Sequence, residues 1–400
     1  MNGQREPRQR LYLVNGKVIT PYRLIDSGGV CIQGEYIDQV FSMNEVSIPP
    51  AAEQLDVQGA WIMPGLIDMH LHGGDGADVM DASVEAFHVI AAAHARNGTT
   101  SIVPTTLTGS YPLLRDVLDA FGEARKYKYL GARLLGIHLE GPYFAYEQRG
   151  AQDPRYLKNP EPEEYLELLD SYPFILRVSA APELPGALEL GRELRRRGII
   201  AAIGHTNAYF EDVIAAVEAG YTHVTHMYSG MEGVRRVNCY RRAGTVEAAL
   251  LLDDLTVEVI ADGKHLPPSL LQLIYKCKGA RCMALCSDAL RAAGMPEGVY
   301  QMGSEDYQMI VDDGVAWLLD RSAFAGSVVA GSQLLKTMVE LADVPLPDAV
   351  QMATTTPARI LKVDDRLGSL DQGKYADIVV LREDFSVMYT IVGGEIVYQG

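Results

Sequence analysis

Eight apolar, β-rich runs alternate with segments of helical character over most of the chain, and no other feature narrows the fold as much. They cover residues 61–72, 98–106, 132–141, 173–183, 198–206, 222–229, 255–263 and 280–289. Strands buried on both faces of a parallel sheet read as near-continuous hydrophobics, as these do. Between them, SVEAFHVIAAAHARNG (83–98) starts on a serine, carries an apolar stripe and stops on a glycine, and NAYFEDVIAAVEAG (207–220) ends the same way. The expected fold is therefore α/β, a (β/α)8 TIM-like barrel over residues 61–363. A chain of 400 residues has room for a second, smaller module. Residues 10–58 and 366–400 hold short β-like pieces with turn signals such as Asn15-Gly16. Both ends, 1–60 and 364–400, are expected to build one small β-sandwich, with two unrelated edge extensions as the alternative.

Charge narrows the partners. Thirty-five basic against 52 acidic residues leave a net charge of −17, which argues against nucleic acid and against an anionic membrane surface. A small anionic substrate needs only a local basic pocket and stays in play. The five cysteines (31, 239, 277, 282 and 286) show no short CxxC spacing and read as free thiols in a reducing compartment. The opening MNGQREPRQR has no apolar core, and no run approaches 18 apolar residues. Neither a signal peptide nor a membrane span is expected, and the cytoplasm is the expected location.

In a parallel barrel the chemistry sits at the C-terminal ends of the strands. The first run ends in Asp68, His70 and His72, two residues apart and so on one face. The third ends in His138-Leu139-Glu140-Gly141-Pro142, the fifth in Gly204-His205-Thr206, the sixth in His226 and the eighth in Ser287-Asp288. The seventh ends in Asp262 with His265 just beyond, and the fourth in Pro182-Glu183, to which no role is assigned. Taken singly, each has a structural reading: a buried imidazole with hydrogen-bond partners, or an aspartate capping a helix. Gathered at the one open end of a barrel, they point to a metal, because imidazole and carboxylate suit zinc and its neighbours. His138 shares a face with Glu140 and reads as a core group or a support. His88, His94 and His223 read as structural. The loop 235-RRVNCYRR-242 places four arginines in eight residues. It suits bidentate phosphate binding, or else forms a solvated or intersubunit basic patch.

PGLIDMHLHG, HLEGPYF, GHTNA, THMYSGM, ADGKHLPP, CSDA and FAGS occur in that order. Over about residues 10–395 they resemble the N-acetylglucosamine-6-phosphate deacetylase family of the amidohydrolase superfamily. The resemblance implies a barrel with a β-sandwich from both termini. It implies Glu140, His205 and His226 as principal metal ligands, and Asp288 as the acid/base. His70 and His72 match a pair that helps hold a second ion in members retaining it, so one or two divalent ions are expected, zinc first, with iron or another divalent metal as alternatives. The implied reaction removes acetate from N-acetylglucosamine-6-phosphate and leaves glucosamine-6-phosphate, with Asp288 taking a proton from water and passing it to the departing amine. Implied substrate contacts are Ala151, Gln152, Ser229, Gly230, Arg241, Asp262, His265, Phe324, Ala325 and Gly326. Arg241 aligns best with the family's phosphate-contacting arginine, with Arg235, Arg236 and Arg242 as alternatives in a longer loop. A homodimer is implied, with that loop near the partner subunit. Two departures fall in the substrate pocket. Gly150-Ala151-Gln152 stands where the family commonly has Gly-Ala-His or Gly-Thr-His, and Ser229-Gly230 where it often has Asn-Ala. Glutamine carries no charge, so a histidine's ionic help to a phosphate is missing. The competing expectations are a related hydrolase of another N-acyl amino sugar, N-acyl amino acid or cyclic amide, and a non-catalytic barrel. A complete ligand set beside Asp288 argues against the last.

Overall fold

The computed structural model describes residues 10–128 and 131–400. All of the polar opening but Arg10 therefore lies outside the described residues. Each of the eight runs contains a parallel strand: β1 (Leu66–Leu71), β2 (Thr99–Pro104), β3 (Ile137–Glu140), β4 (Ile175–Ala180), β5 (Ile200–Ile203), β6 (Tyr221–Val224), β7 (Thr256–Ile260) and β8 (Met283–Cys286). β1 pairs with β2, and β3 to β8 pair in sequence order, all parallel. Backbone hydrogen bonds continue past both edges of the six-stranded sheet. Thr106 N donates to His138 O (3.0 Å) next to β3, and Asp288 N donates to His70 O (2.9 Å) from the end of β8.

The connecting helices follow from local signals. Val84–Arg96 starts where Ser83 Oγ accepts from Ala86 N (3.1 Å), and the chain leaves it through Gly98, whose φ is 88°. Phe210–Ala219 ends on Gly220 at φ 114°. Their apolar faces, with Ile90 and Val213, join Phe121, Leu190 and Leu271 and strand residues such as Ile102 and Val178 in one large core.

Both ends of the chain enter one sheet. Its order is Glu395–Gln399, Val387–Val392, Ile378–Leu381, Trp61–Pro64, Arg10–Ile19, Leu24–Gln33, Tyr36–Ser42, with Glu53–Asp56 beside Arg10–Ile19. Leu13, Val18, Val30, Ile62, Ile378 and Ile391 form a separate core beneath it. Asn15-Gly16 makes no turn here. It lies inside Arg10–Ile19 as a bulge, with Asn15 at φ 58° and a register shift between Leu13 and Gly16.

The apolar run 61–72 is not one strand. Trp61–Pro64 belongs to the terminal sheet, Leu66–Leu71 to the parallel set, and Gly65 is the joint. A Cβ at Gly65 would stand 2.1 Å from Thr100 Oγ1 and 2.2 Å from Thr100 Cγ2. Gly65→Ala is therefore expected to lower stability by about 1–3 kcal/mol, as overpacking of a close-packed core does, read as a lower denaturant midpoint. An unchanged midpoint would show that Thr100 yields without strain. Two further elements escaped the sequence reading. The arginine stretch is an antiparallel hairpin, Arg235–Val237 against Tyr240–Arg242, rather than a loop. Residues 298–326 form a four-stranded antiparallel sheet ending in Phe324–Gly326. Among the described residues no helix is long and apolar enough to cross a membrane. All five cysteines are free.

Candidate metal centre and adjoining cavity

His70 and His72 stand on β1 and Glu140 is the last residue of β3. His205, His226 and Asp288 each follow a strand by two residues, after Ile203, Val224 and Cys286. All three have positive φ, 49°, 22° and 50°. Non-glycine residues adopt this region at an energetic cost, and such strain persists only where the surroundings over-determine it. They do so here. Asp288 N bonds to His70 O, and Ser327 N to Asp288 O. His226 N donates to Glu258 Oε1 (3.2 Å). Beside His205, Glu183 accepts from Thr206 Oγ1 and from Asn207 N, both at 2.5 Å. Glu183, which had no role in the sequence reading, thus holds the His205 turn.

Four imidazoles converge on one carboxylate. His226 Nε2 lies 2.9 Å from Glu140 Oε1, and His70 Nε2 and His205 Nε2 lie 3.4 Å from the same atom. His72 Nε2 lies 3.3 Å from Glu140 Oε2 and 3.1 Å from Asp288 Oδ1. Burial opposes ionisation of Glu140, but the charge on His70 and hydrogen bonds from His205 and His226 outweigh it, holding the carboxyl well below its usual range. Burial likewise opposes charge on His72, yet the hydrogen bonds it donates to Asp288 and Glu140 raise it to about 9. The carboxylates attract positive charge strongly enough to raise both His70 and His72 above the usual imidazole range.

The donor set fits a divalent ion. Two groups, His70–His72–Glu140 and Glu140–His205–His226, bring their ligand atoms within 4.8 Å of one another and share Glu140. The far nitrogens settle which lone pairs face inward. His72 Nδ1 meets Thr105 O at 3.0 Å and His205 Nδ1 meets Gln148 O at 2.8 Å. A carbonyl only accepts, so both Nδ1 atoms carry hydrogen, and in the neutral rings Nε2 presents a lone pair toward Glu140. His70 Nε2 is buried without a hydrogen-bond partner and faces the same point.

His138 stays out of this group: its ring nitrogens meet Ser179 Oγ (2.7 Å) and Thr105 Oγ1 (3.2 Å). His94 reaches Gly73 O, His88 the carbonyl of Ala124, and His223 Thr256 Oγ1. Beneath His70 lies a buried pair that sequence reasoning missed, Arg177 and Glu258. Its signal was present, since each is a lone charge inside an apolar strand run.

A cavity of about 310 Å³ opens beside these ligands, within the usual size range for small-molecule sites. His72, Glu140, His205, His226 and Asp288 line it with Ala151, Gln152, Ser229, Gly230, His265, Phe324, Ala325 and Gly326. Gln152 spends both ends of its amide inside the protein, donating to Glu140 Oε2 (2.9 Å) and accepting from Thr108 N (2.7 Å). Two expected contacts lie elsewhere among the described residues. Asp262 stands behind His265, accepting from its Nδ1 (2.7 Å) and from its backbone N, and so orients the ring against Phe324. Arg241 is exposed on the hairpin, across from Arg236, and does not line the cavity. Arg235 and Arg242 anchor that hairpin by packing on Tyr209, and they bond to Asn207 O and Glu211.

The amidohydrolase family model matches residues 61–397. The chain is 37% identical to the N-acetylglucosamine-6-phosphate deacetylase of Vibrio furnissii over 340 residues, covering 84% of this chain and 83% of that protein. It is 35% identical to an N-acetylgalactosamine-6-phosphate deacetylase of Escherichia coli, covering 87% and 90%. A solved structure, a Mycobacterium smegmatis N-acetyl-D-glucosamine-6-phosphate deacetylase mutant in complex with N-acetyl-D-glucosamine-6-phosphate, superposes with a TM-score of 0.89 at 30% identity, covering 98% and 100%.

Proposed function

The chain belongs to the amidohydrolase family, and we propose that it is a metal-dependent deacetylase that converts N-acetylglucosamine-6-phosphate to glucosamine-6-phosphate and acetate. The observation that carries this reading is the convergence of Glu140, His205, His226, His70 and His72 beside Asp288 at the wall of a substrate-sized cavity. We read the two parallel sheets as arcs of one eight-stranded barrel, joined by the bonds around His138 and His70. We take the smaller domain to be 1–60 and 364–400, whose described strands, from Arg10–Ile19 to Glu395–Gln399, form the terminal sheet together with Trp61–Pro64.

Glu140, His205 and His226 would hold one ion, and His70 and His72 with Glu140 a second; zinc suits the N/O donors. Such an ion supplies Lewis acidity, which makes water nucleophilic near neutral pH and polarises the amide carbonyl. Asp288, held ionised with its Oδ1 3.1 Å from His72 Nε2, takes the proton as water attacks the acetyl carbon. The C–N bond then breaks, and Asp288 returns that proton to the leaving nitrogen, since an amine departs poorly unless protonated. His265, fixed by Asp262, and the edge Phe324–Gly326 hold the sugar. We assign phosphate recognition to the exposed Arg241 and its hairpin. In a homodimer the partner's hairpin would bring guanidinium groups to a cavity whose described lining has none. We place the enzyme in the cytoplasm, where free thiols persist.

Acetate release separates the readings. The phosphorylated gluco substrate is expected to give the highest kcat/KM. Its galacto epimer is the next test, given the relative that acts on that sugar. Unphosphorylated N-acetylglucosamine is expected to react far more slowly. Equal rates with and without phosphate would remove the phosphate from this assignment, and no release from any N-acetylhexosamine would favour another amide.

A further inference from the structure

Glu258 is fully buried on β7, below the candidate centre, and touches no part of the cavity. Its carboxylate receives both terminal nitrogens of Arg177, Nη1 at 2.6 Å and Nη2 at 2.7 Å. It also faces His70 Nδ1 at 2.7 Å and accepts from the backbone N of His226 at 3.2 Å. His223 Nε2 lies 3.4 Å from its other oxygen. One side chain thus reaches one ligand from each half of the centre. Arg177 extends the network through Thr225 Oγ1 (2.7 Å), which meets Ser179 Oγ (2.8 Å), which in turn meets His138 Nε2. A carboxylate doubly bonded to a guanidinium is an acceptor only. The atom facing it on His70 must therefore carry hydrogen, and the opposite nitrogen, Nε2, is the one buried without a partner.

We propose that Glu258, paired with Arg177, is a positioning residue that fixes His70 with hydrogen on Nδ1 and a lone pair on Nε2, and so prepares the half of the centre formed by His70, His72 and Glu140. The inference rests on the metal reading above. Cys286 Sγ also lies within reach of His70 and Glu258. This group does not make a third metal site, because both oxygens of Glu258 are already engaged by Arg177. Metal-ligating histidines are commonly held this way through their second nitrogen, and losing that support weakens metal binding by about 10- to 100-fold.

The test begins with the full-length, zinc-loaded protein labelled with ¹⁵N-histidine. His70, assigned by the signal lost in His70→Gln, is expected to show a protonated Nδ1 with a slowly exchanging, low-field hydrogen, and a metal-bound Nε2. Metal attached at Nδ1 would overturn the proposal without any change at Glu258. Zinc titration of metal-free protein then gives the second readout. Glu258→Gln should weaken one class of ion by about 10- to 100-fold and leave the class held through His205 and His226 within a few-fold. Because Glu258→Gln strands Arg177 without its counter-ion, the double variant Glu258→Gln/Arg177→Met removes the charge pair together and should show the same selective loss. Equal weakening of both classes, the signature of general loosening, would overturn the positioning role, as would unchanged affinity. If the parent protein binds no zinc, the metal reading falls and this inference with it. If it binds zinc and the Glu258 variants do not differ, the inference fails alone.

Discussion

Asp288→Asn is expected to lower kcat by about 10²- to 10⁴-fold, the range that positioned acid–base groups supply, while KM and metal content stay within a few-fold of the parent. The substitution removes the proton acceptor and little else. Asparagine has the same shape and tolerates left-handed backbone better than most residues, so φ near 50° at position 288 survives. The two backbone bonds that hold this residue, to His70 O and from Ser327 N, do not involve the side chain. What disappears is a carboxylate that His72 touches at 3.1 Å and that its imidazole neighbours keep below the usual range against the pull of burial. An amide oxygen can still face the centre from position 288, but the group can neither take water's proton nor return one to nitrogen. Steady-state kinetics with acetate detection, alongside metal analysis of the same preparation, separates loss of chemistry from loss of the ion. A variant that keeps both its metal and its turnover would take Asp288 out of the reaction and reopen the reading of a different base, or of a barrel that only binds.

What could be read beforehand follows from how the information is carried. Strand ends are visible because buried strands are apolar and polar residues interrupt them, which makes Glu140, His205, His226 and Asp288 stand out in separate runs. The join at Gly65 was invisible for the same reason. Hydrocarbon continues across it, and only the Thr100 contact shows that two sheets meet there. The hairpin 235–242 turns at Asn238-Cys239, with φ of 45° and 72°, a pairing without the glycine that marks such turns. The sheet over 298–326 carried an Asp313-Gly314 signal, but it lies beyond the eight-run pattern that guided the reading. Support residues were the hardest. Glu258, Arg177, Glu183 and Gln148 act through contacts 23 to 188 positions distant in sequence, and no local pattern encodes a partner that far away. Asp262 was noticed for its motif, and the structure gives it a different task, orienting His265 from behind.

Chelating the metal is expected to bring two large changes together. Activity should fall by about 10³-fold or more, since Lewis-acid stabilisation is worth several kcal/mol, and return on adding zinc. Stability should also become pH-dependent in a direction set by the ligands. Without an ion, protons supply the positive charge that Glu140, Asp288 and Glu258 attract. Burial disfavours charge on His70 and His72, but the carboxylates prevail, lifting His70 well above the imidazole range and His72 to about 9. A group whose folded pKa is raised contributes fully below its unfolded value, about 6.5 for histidine, and loses that contribution as pH rises through the folded one. For His72 alone, the window from 6.5 to about 9 corresponds to roughly 3.5 kcal/mol at about 1.4 kcal/mol per pH unit, and His70 acts in the same sense. Glu140 is depressed, so its contribution is present above about 4.3 and is lost on acidification. His138 and His223, which burial and the nearby Arg177 hold below the ordinary imidazole range, resist protonation and lower stability as pH falls below about 6.5. Metal-free protein should therefore be most stable near about pH 6.5 and weaken toward 9. The loaded protein should run the other way, because metal and protons compete for the same nitrogens and the ion wins as pH rises. Denaturant midpoints of the two forms at pH 6, 7.5 and 9 should thus diverge with rising pH. Parallel curves, or full activity after exhaustive chelation, would mean that the four imidazoles around Glu140 hold no ion that matters to the fold or to the reaction.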